Sequence, residues 1–207
     1  MDKHQELTIT NELTREQVEQ AAEIHYDAFK YKVKYLLLFT GSRKKAVSFL
    51  TRALTIRNGL YVLKADRVIG IVGLQRDKEA YIDATFRLFK KTFGLFGASW
   101  RFVAFKAYKF FVGSPEAHEL RIDWLAVSGE ARGLGVGSYL LQKVQEIASD
   151  MGKTNLVLEV VDTNPQARKL YERIGFVHTD TKKFGLITSK AGFKALHYMN
   201  KSIGKSK

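Results

Sequence analysis

The chain predicts an α/β domain, and three observations carry that expectation. Stretches with apolar residues at helical spacing alternate with short apolar or β-branched runs, the signature of helices interleaved with strands. The segment Asp123-Trp-Leu-Ala-Val127-Ser-Gly-Glu-Ala-Arg132-Gly-Leu-Gly135-Val-Gly137-Ser-Tyr-Leu-Leu141 passes from an apolar run, through a polar corner and three alternating glycines, into an amphipathic stretch. Such a passage reads as strand, tight loop and helix N-terminus. Finally, 207 residues, of which 45% are hydrophobic and 12% aromatic, suffice for one domain with a substantial core. No internal repeat or Pro-rich linker divides them, so residues 1–207 are read as a single domain.

Residues 7–10 make a plausible first strand. Thr14-Arg-Glu-Gln17 has capping-box form, and Val18, Ala21, Ala22, Ile24, His25, Ala28 and Phe29 follow at helical spacing, giving a first helix of about four turns. A Gly41-Ser42 break precedes a second helix over 43–54. Residues 60–64 and 67–74 are β-branched runs joined by Ala65-Asp66, a β-hairpin. Residues 86–112 hold ten aromatics, mixed with Arg87, Lys90, Lys91, Arg101, Lys106 and Lys109 and no acid. Charges this frequent rule out a membrane span, and the Gly94…Gly97 break suggests two short helices. The favoured reading is an inserted helical pair packed on the core or on a dimer mate; the other is a basic amphipathic surface for a membrane or partner. A strand from about 118 to 127 leads into the glycine corner, then a helix over 135–151 closed by Gly152. Residues 155–161 form an almost continuous apolar run, as in a buried central strand. Asp162-Thr-Asn-Pro165 opens a further helix with Pro near its first position. Residues 176–177 and 194–199 read as closing strands, and 201–207 as a basic, frayed tail.

The chain has no cysteine, which excludes disulfides, a thiol nucleophile and Cys-ligated zinc. His118, His178 and His197 lack metal-ligand spacing, so no metal is expected. The first residues lack a signal peptide's basic and apolar regions, and a cytoplasmic location is expected. A formal charge of +13 requires some surface that attracts anions. Lys30, Lys32, Lys34, Arg43, Lys44 and Lys45 form one basic stretch, but recognition-helix and RNP-like patterns are missing, so nucleic acid is not the expected partner.

Glycines let a backbone approach a ligand closely, and the first N–H groups of a helix have no internal partner, so the corner suits a phosphate. Gly133-x-Gly135-x-x-Ser138 approximates a dinucleotide fingerprint, with Glu159 near the end of the next strand. Against that reading, the third glycine is Ser and only one βαβ unit follows. Arg132, directly before the glycines, instead sets a cation beside the helix N-terminus, an arrangement fit for pyrophosphate.

Leu-Ala-Val followed by Arg-Gly-x-Gly-x-Gly, then after one helix and one strand Asn164-x-x-Ala167-x-x-Leu170-Tyr171-x-x-x-Gly175-Phe176, closely resembles the GNAT-type N-acetyltransferase superfamily. The resemblance is sharp over about 118–177 and absent over 86–112. It implies a mixed, mostly antiparallel sheet with helices on both faces and a helical insertion at about 86–112. Arg132, Gly133, Leu134, Gly135, Val136, Gly137 and Ser138 would hold the pyrophosphate of acetyl-CoA. Leu125, Ala126 and Val127 would run beside its pantetheine arm, Asn164 and Ala167 would reach it from the following loop and helix, and Tyr171 would protonate the departing thiolate.

The chemistry makes its own demands. The attacking amine must be neutral, which requires a base. The developing oxyanion needs an N–H donor, for which the Val127 amide is the candidate. A strand's period of two puts Glu119 and Asp123 on one face, that of Leu125 and Val127, which makes both base candidates, alongside a bound-water relay. Arg168, Lys169 and Arg173 either meet the cofactor's phosphates or are simply solvated. The expected function is direct acetyl transfer to a primary amine of a small molecule or a protein N-terminus. The alternative is a non-catalytic acyl-CoA-binding module docking through 86–112 to a membrane or protein partner, and a homodimer is also open.

Overall fold

The computed structural model describes residues 7–76, 79–186 and 188–204. Strands β1 (Leu7–Thr10), β2 (Gly59–Lys64), β3 (Arg67–Gln75), β4 (Glu119–Val127), β5 (Asn155–Val161), β6 (Val177–Lys183) and β7 (Ala195–Ser202) form one sheet in the order β1-β2-β3-β4-β5-β7-β6. Among the described residues β4 and β5 are the parallel neighbours, and every other adjacent pair is antiparallel. A dinucleotide fold would need a run of parallel strands, so that alternative falls.

Helices α1 (Arg15–Lys32), α2 (Arg43–Ala53) and α3 (Phe86–Val112) cover one face through Ala21, Ala46, Phe49, Phe89 and Phe105. On the other face lie α4 (Val136–Asp150) and α5 (Pro165–Arg173), through Leu140, Val144 and Tyr171. The helices sit on both faces, as the resemblance implies.

Local chemistry explains most boundaries. Thr14 and Gln17 form the reciprocal capping box that opens α1, at 3.3 and 2.9 Å. This helix runs further than four turns. Phe29 leaves helical geometry (φ −121°, ψ 23°), yet the helix resumes to Lys32 and passes into a π-turn at Val33–Leu37. The β2–β3 hairpin turns on Ala65 and Asp66, both at positive φ, as a two-residue turn of primed type requires. Within 86–112 the helix breaks at Gly94 (φ 71°, ψ 175°), a conformation open to glycine, which leaves two helices as expected.

Two closing strands are longer than the sequence reading allowed. β6 extends to Lys183 because it is a mostly exposed edge strand, whose polar run Val-His-Thr-Asp-Thr-Lys-Lys carries no apolar period. β7 continues through Lys201 and Ser202, and Ile203 is buried behind it, so the fraying expected from 201 does not begin there. Residues 205–207 lie outside the described residues.

β4 carries one irregularity with large consequences. Gly73 faces Trp124 but the next β3 residue, Leu74, faces Ile122, so Asp123 is an extra residue, a β-bulge. Before the bulge Leu120 and Ile122 belong to the α4-side core; after it Trp124 and Ala126 belong to the α1–α3 core. The alternation of the strand is shifted by one at Asp123.

Candidate active site

The parallel ladder between β4 and β5 runs from Glu119↔Asn155 to Ile122↔Leu158 and stops. Beyond it the strands part, and a cleft of about 720 Å³ opens between Leu125, Val127, Glu159 and Val161. Ser128 N–H bonds to Ile69 C=O at 2.9 Å in the β3–β4 ladder. Because successive residues of a strand turn their amides to opposite edges, the Val127 and Leu125 amides point away from β3, toward the parted side. An extended ligand lying in the cleft meets them as a neighbouring strand would.

The glycine corner closes one end of this cleft. Gly133 and Gly135 adopt left-handed φ of 78° and 83°, and Gly135 is the N-cap of α4 without any capping side chain. The first helical bond runs from Tyr139 N–H to Gly135 C=O at 3.0 Å, so the amides of Val136, Gly137 and Ser138 precede it. Their orientation and the helix dipole favour an anion. At Gly70 in β3 a Cβ would press on Val136 Cγ1 at 2.6 Å, so the missing side chain lets α4 approach closely. The α4 N-terminus is thereby seated directly on the sheet.

Arg132, Gly133, Gly135, Val136, Gly137 and Ser138 all line the cleft, and so do Leu125, Ala126 and Val127. Leu134 does not; its side chain is exposed to solvent. Asn164, Ala167 and Tyr171 line the cleft as well. Asn164 caps α5, its carbonyl accepting from Ala167 N–H at 3.1 Å, which leaves the NH₂ half of the amide as its donor. Burial pushes the Tyr171 phenol up to about 12, so it stays protonated at neutral pH, as a proton donor must. Arg173 lines the cleft, Lys169 does not, and Arg168 is held by Glu172 at 2.8 Å.

The bulge corrects the assignment of faces. Leu125 and Val127 pack on the α4-side core, whereas Arg121, one alternation before Asp123, reaches the end of α3, donating to Val112 C=O at 2.8 Å. Asp123 therefore turns toward α3, not to the face of Leu125 and Val127, because the inserted residue breaks the strict period of two. It nevertheless lines both the cleft and a smaller cavity of about 70 Å³ beneath α3, with Lys32 and Glu159. Glu119 lines neither; its Oε2 accepts from Glu116 N–H at 3.0 Å and ties down the loop before β4. The two base candidates are thus separated, and Asp123 alone of them reaches the cleft.

Burial raises the Asp123 carboxyl to about 7; Arg121 pulls it down, Glu159 adds to the rise and Lys109 opposes it. Burial also raises Glu159, against Arg121, Lys32 and Lys182, and lowers Lys32, against Glu159. Lys32 Nζ lies over the rings of Phe193 and Trp124, at 5.5 and 5.7 Å from their centroids. In the sequence Lys32 is one member of a basic stretch. Its position three after Phe29 and seven after His25, on the helix face already assigned to the core, was the available signal. His25 itself is fully buried between the rings of Trp124 and Phe29, at 4.7 and 5.0 Å, and among the described residues neither ring nitrogen has a hydrogen-bond partner. Burial, with the Lys32 charge adding, depresses it to about 3, so it is a neutral aromatic spacer at neutral pH.

A family model described as the acetyltransferase (GNAT) family matches residues 41–176. Thialysine N-ε-acetyltransferase of Bos taurus is 34% identical over 73 residues, 35% of this chain and 43% of that protein. The chain thus spans less than half the length of that relative. A crystal structure described as that of an acetyltransferase shares the fold with a TM-score of 0.62 at 23% identity, covering 95% of this chain and 100% of that one. The ribosomal-protein-S18-alanine N-acetyltransferase of Escherichia coli does so with a TM-score of 0.56 at 16% identity, covering 97% and 96%.

Proposed function

The chain belongs to the GNAT acetyltransferase family, and on that premise we propose that it transfers the acetyl group of acetyl-CoA directly to a primary amine in a ternary complex. The observation that carries this reading is the parted β4–β5 pair, with an anion cradle at one end and a carboxyl raised to about 7 where the strands begin to diverge. The residues present fit the cosubstrate. The Val136, Gly137 and Ser138 amides and Arg132 would receive its pyrophosphate, and the Leu125 and Val127 amides would line its pantetheine arm and thioester. Bound there, acetyl-CoA supplies an activated thioester carbonyl.

This chain's groups then divide the work. Asp123 takes the proton that makes the amine nucleophilic; a carboxyl near 7 is matched to that task at neutral pH. The Val127 N–H stabilises charge developing on the carbonyl oxygen. Tyr171 gives its phenolic proton to the departing sulfur. With no cysteine in the chain, no acyl-thioenzyme forms. The acceptor enters from the α3 side, past Tyr108, Arg121 and Glu159, where Asp123 is reached. A small primary amine suits that cavity. Thialysine, named in the bovine relative, and an N-terminal alanine peptide, after the Escherichia coli neighbour, head the acceptor panel.

Release of CoA thiol on mixing acetyl-CoA with that panel tests the proposal. Release with at least one amine, lost in Asp123→Asn, is expected. Saturable acetyl-CoA binding without release on any amine would favour a binding module.

A further inference from the structure

Apolar residues of α3 fall on two opposite sides of the helix. Phe89, Ala98 and Phe105 are buried against the sheet. In the second half of the helix Phe96, Trp100, Val103, Phe110 and Phe111 are 90%, 49%, 67%, 83% and 74% exposed. With exposed Ala107 they recur every three or four residues, one continuous stripe along the side opposite Phe105. Monomeric proteins rarely leave so many large apolar side chains together in water. An inserted pair whose aromatics all served the core would not show this stripe.

The charges around it select what covers it. Residues 86–112 contain six cations and no acid. Phe86 packs edge-on against Phe102 at 5.6 Å, joining the two halves, and the first half adds the exposed Arg87, Lys90 and Lys91. The exposed Lys106 lies over the Phe102 ring at 5.4 Å, between Val103 and Phe110 of the stripe in sequence. A second copy packed face to face on the stripe would set these cations against their own images with no acid from 86–112 between them, and Asp83 beside the helix is already paired with Lys109 at 2.9 Å. A surface of hydrocarbon beneath anionic headgroups satisfies the aromatics and the cations together. Among the described residues no helix is long and apolar enough to cross a membrane, so the contact would lie in the interface plane.

We propose that the exposed stripe of α3, Phe96, Trp100, Val103, Phe110 and Phe111, together with the exposed Arg87, Lys90, Lys91 and Lys106, docks this protein peripherally on anionic lipid bilayers. The stripe lies on the far side of α3 from the cavity under that helix, so docking leaves the cleft accessible.

Flotation with phosphatidylcholine vesicles, with and without phosphatidylglycerol, tests it at moderate salt. The full chain should float with the anionic vesicles and stay behind with the neutral ones. Phe96→Ser/Phe110→Ser/Phe111→Ser should weaken flotation about tenfold or more. It should keep the melting temperature and the thermal shift given by acetyl-CoA, since none of the three touches the cleft. Absence of flotation on anionic vesicles would overturn the proposal. So would flotation unchanged in the triple variant, which would reduce it to general attraction by net charge. A dimer in sedimentation that the triple variant dissociates would assign the stripe to a second copy instead.

Discussion

On the α4 side of the parted strands the site is built on backbone, the Leu125 and Val127 amides and then those of Val136, Gly137 and Ser138 before the first bond of α4, to which the side chains of Arg132, Asn164 and Tyr171 are added. On the α3 side it is made of side chains, and each comes from a different element: Lys32 from the end of α1, Tyr108 from α3, Asp123 from the β4 bulge, Glu159 from β5. A backbone-built half depends on side chains chiefly where they must be absent, at its glycines. A half built of side chains can be retuned by one substitution, and its electrostatics are coupled because burial makes each charge felt by the others. The same contrast suits a donor that never changes and an acceptor that does.

The sharpest way to break this contrast is Asp123→Asn. Turnover should fall by about 10²–10⁴ while the dissociation constant for acetyl-CoA stays put, since the change removes a general base from one half and no amide from the other. Steady-state CoA release and a thermal-shift titration read the two separately. Tyr171→Phe comes next, with turnover lower by about 10²-fold at unchanged cofactor affinity, checked in the same two assays.

Gly135→Ala attacks the other half. At φ 83° a Cβ costs about 1–2 kcal/mol, so acetyl-CoA should bind roughly tenfold more weakly, with turnover at saturation less affected. The smallest effect is on pH. With Asp123 raised to about 7, kcat/KM should climb through pH 7, and that limb should vanish in Asp123→Asn. The stability sign follows from the same shift. The folded state holds the Asp123 proton more tightly than the unfolded chain, so its contribution declines as pH rises from about 4 toward 7. Melting curves of Asp123→Asn should lose that part of the decline.

The backbone half was legible in the sequence because its requirements are local. Left-handed corners demand glycine at 133 and 135, and a helix start beside Arg132 announces itself within ten residues. Asn164 and Tyr171, one βα unit later, added further lining of the cleft. Leu134 was included only by contiguity, and the structure turns its side chain out to solvent. The side-chain half was poorly legible because it is assembled from distant segments and depends on one register shift. Strict alternation placed Glu119 and Asp123 with Leu125 and Val127, and nothing in Asp123-Trp124 marks an extra residue. The Gly73/Leu74 register that creates it belongs to the neighbouring strand. Lys32 was hidden differently, by a helix that recovers after the distortion at Phe29. β6 escaped because an exposed edge strand owes its place to ladder hydrogen bonds and shows no apolar period.

The bulge at Asp123 also decides what can vary independently. One residue of slack lets a single strand aim the Leu125 and Val127 amides into the cleft and turn the Asp123 carboxyl toward α3. Segments packed on the α3 side can therefore be exchanged without resetting the donor machinery. Deleting Asp123 itself would restore the ordinary rhythm of β4 and leave Leu125 and Val127 on the face they already occupy, so it would remove the carboxyl and spare the cradle.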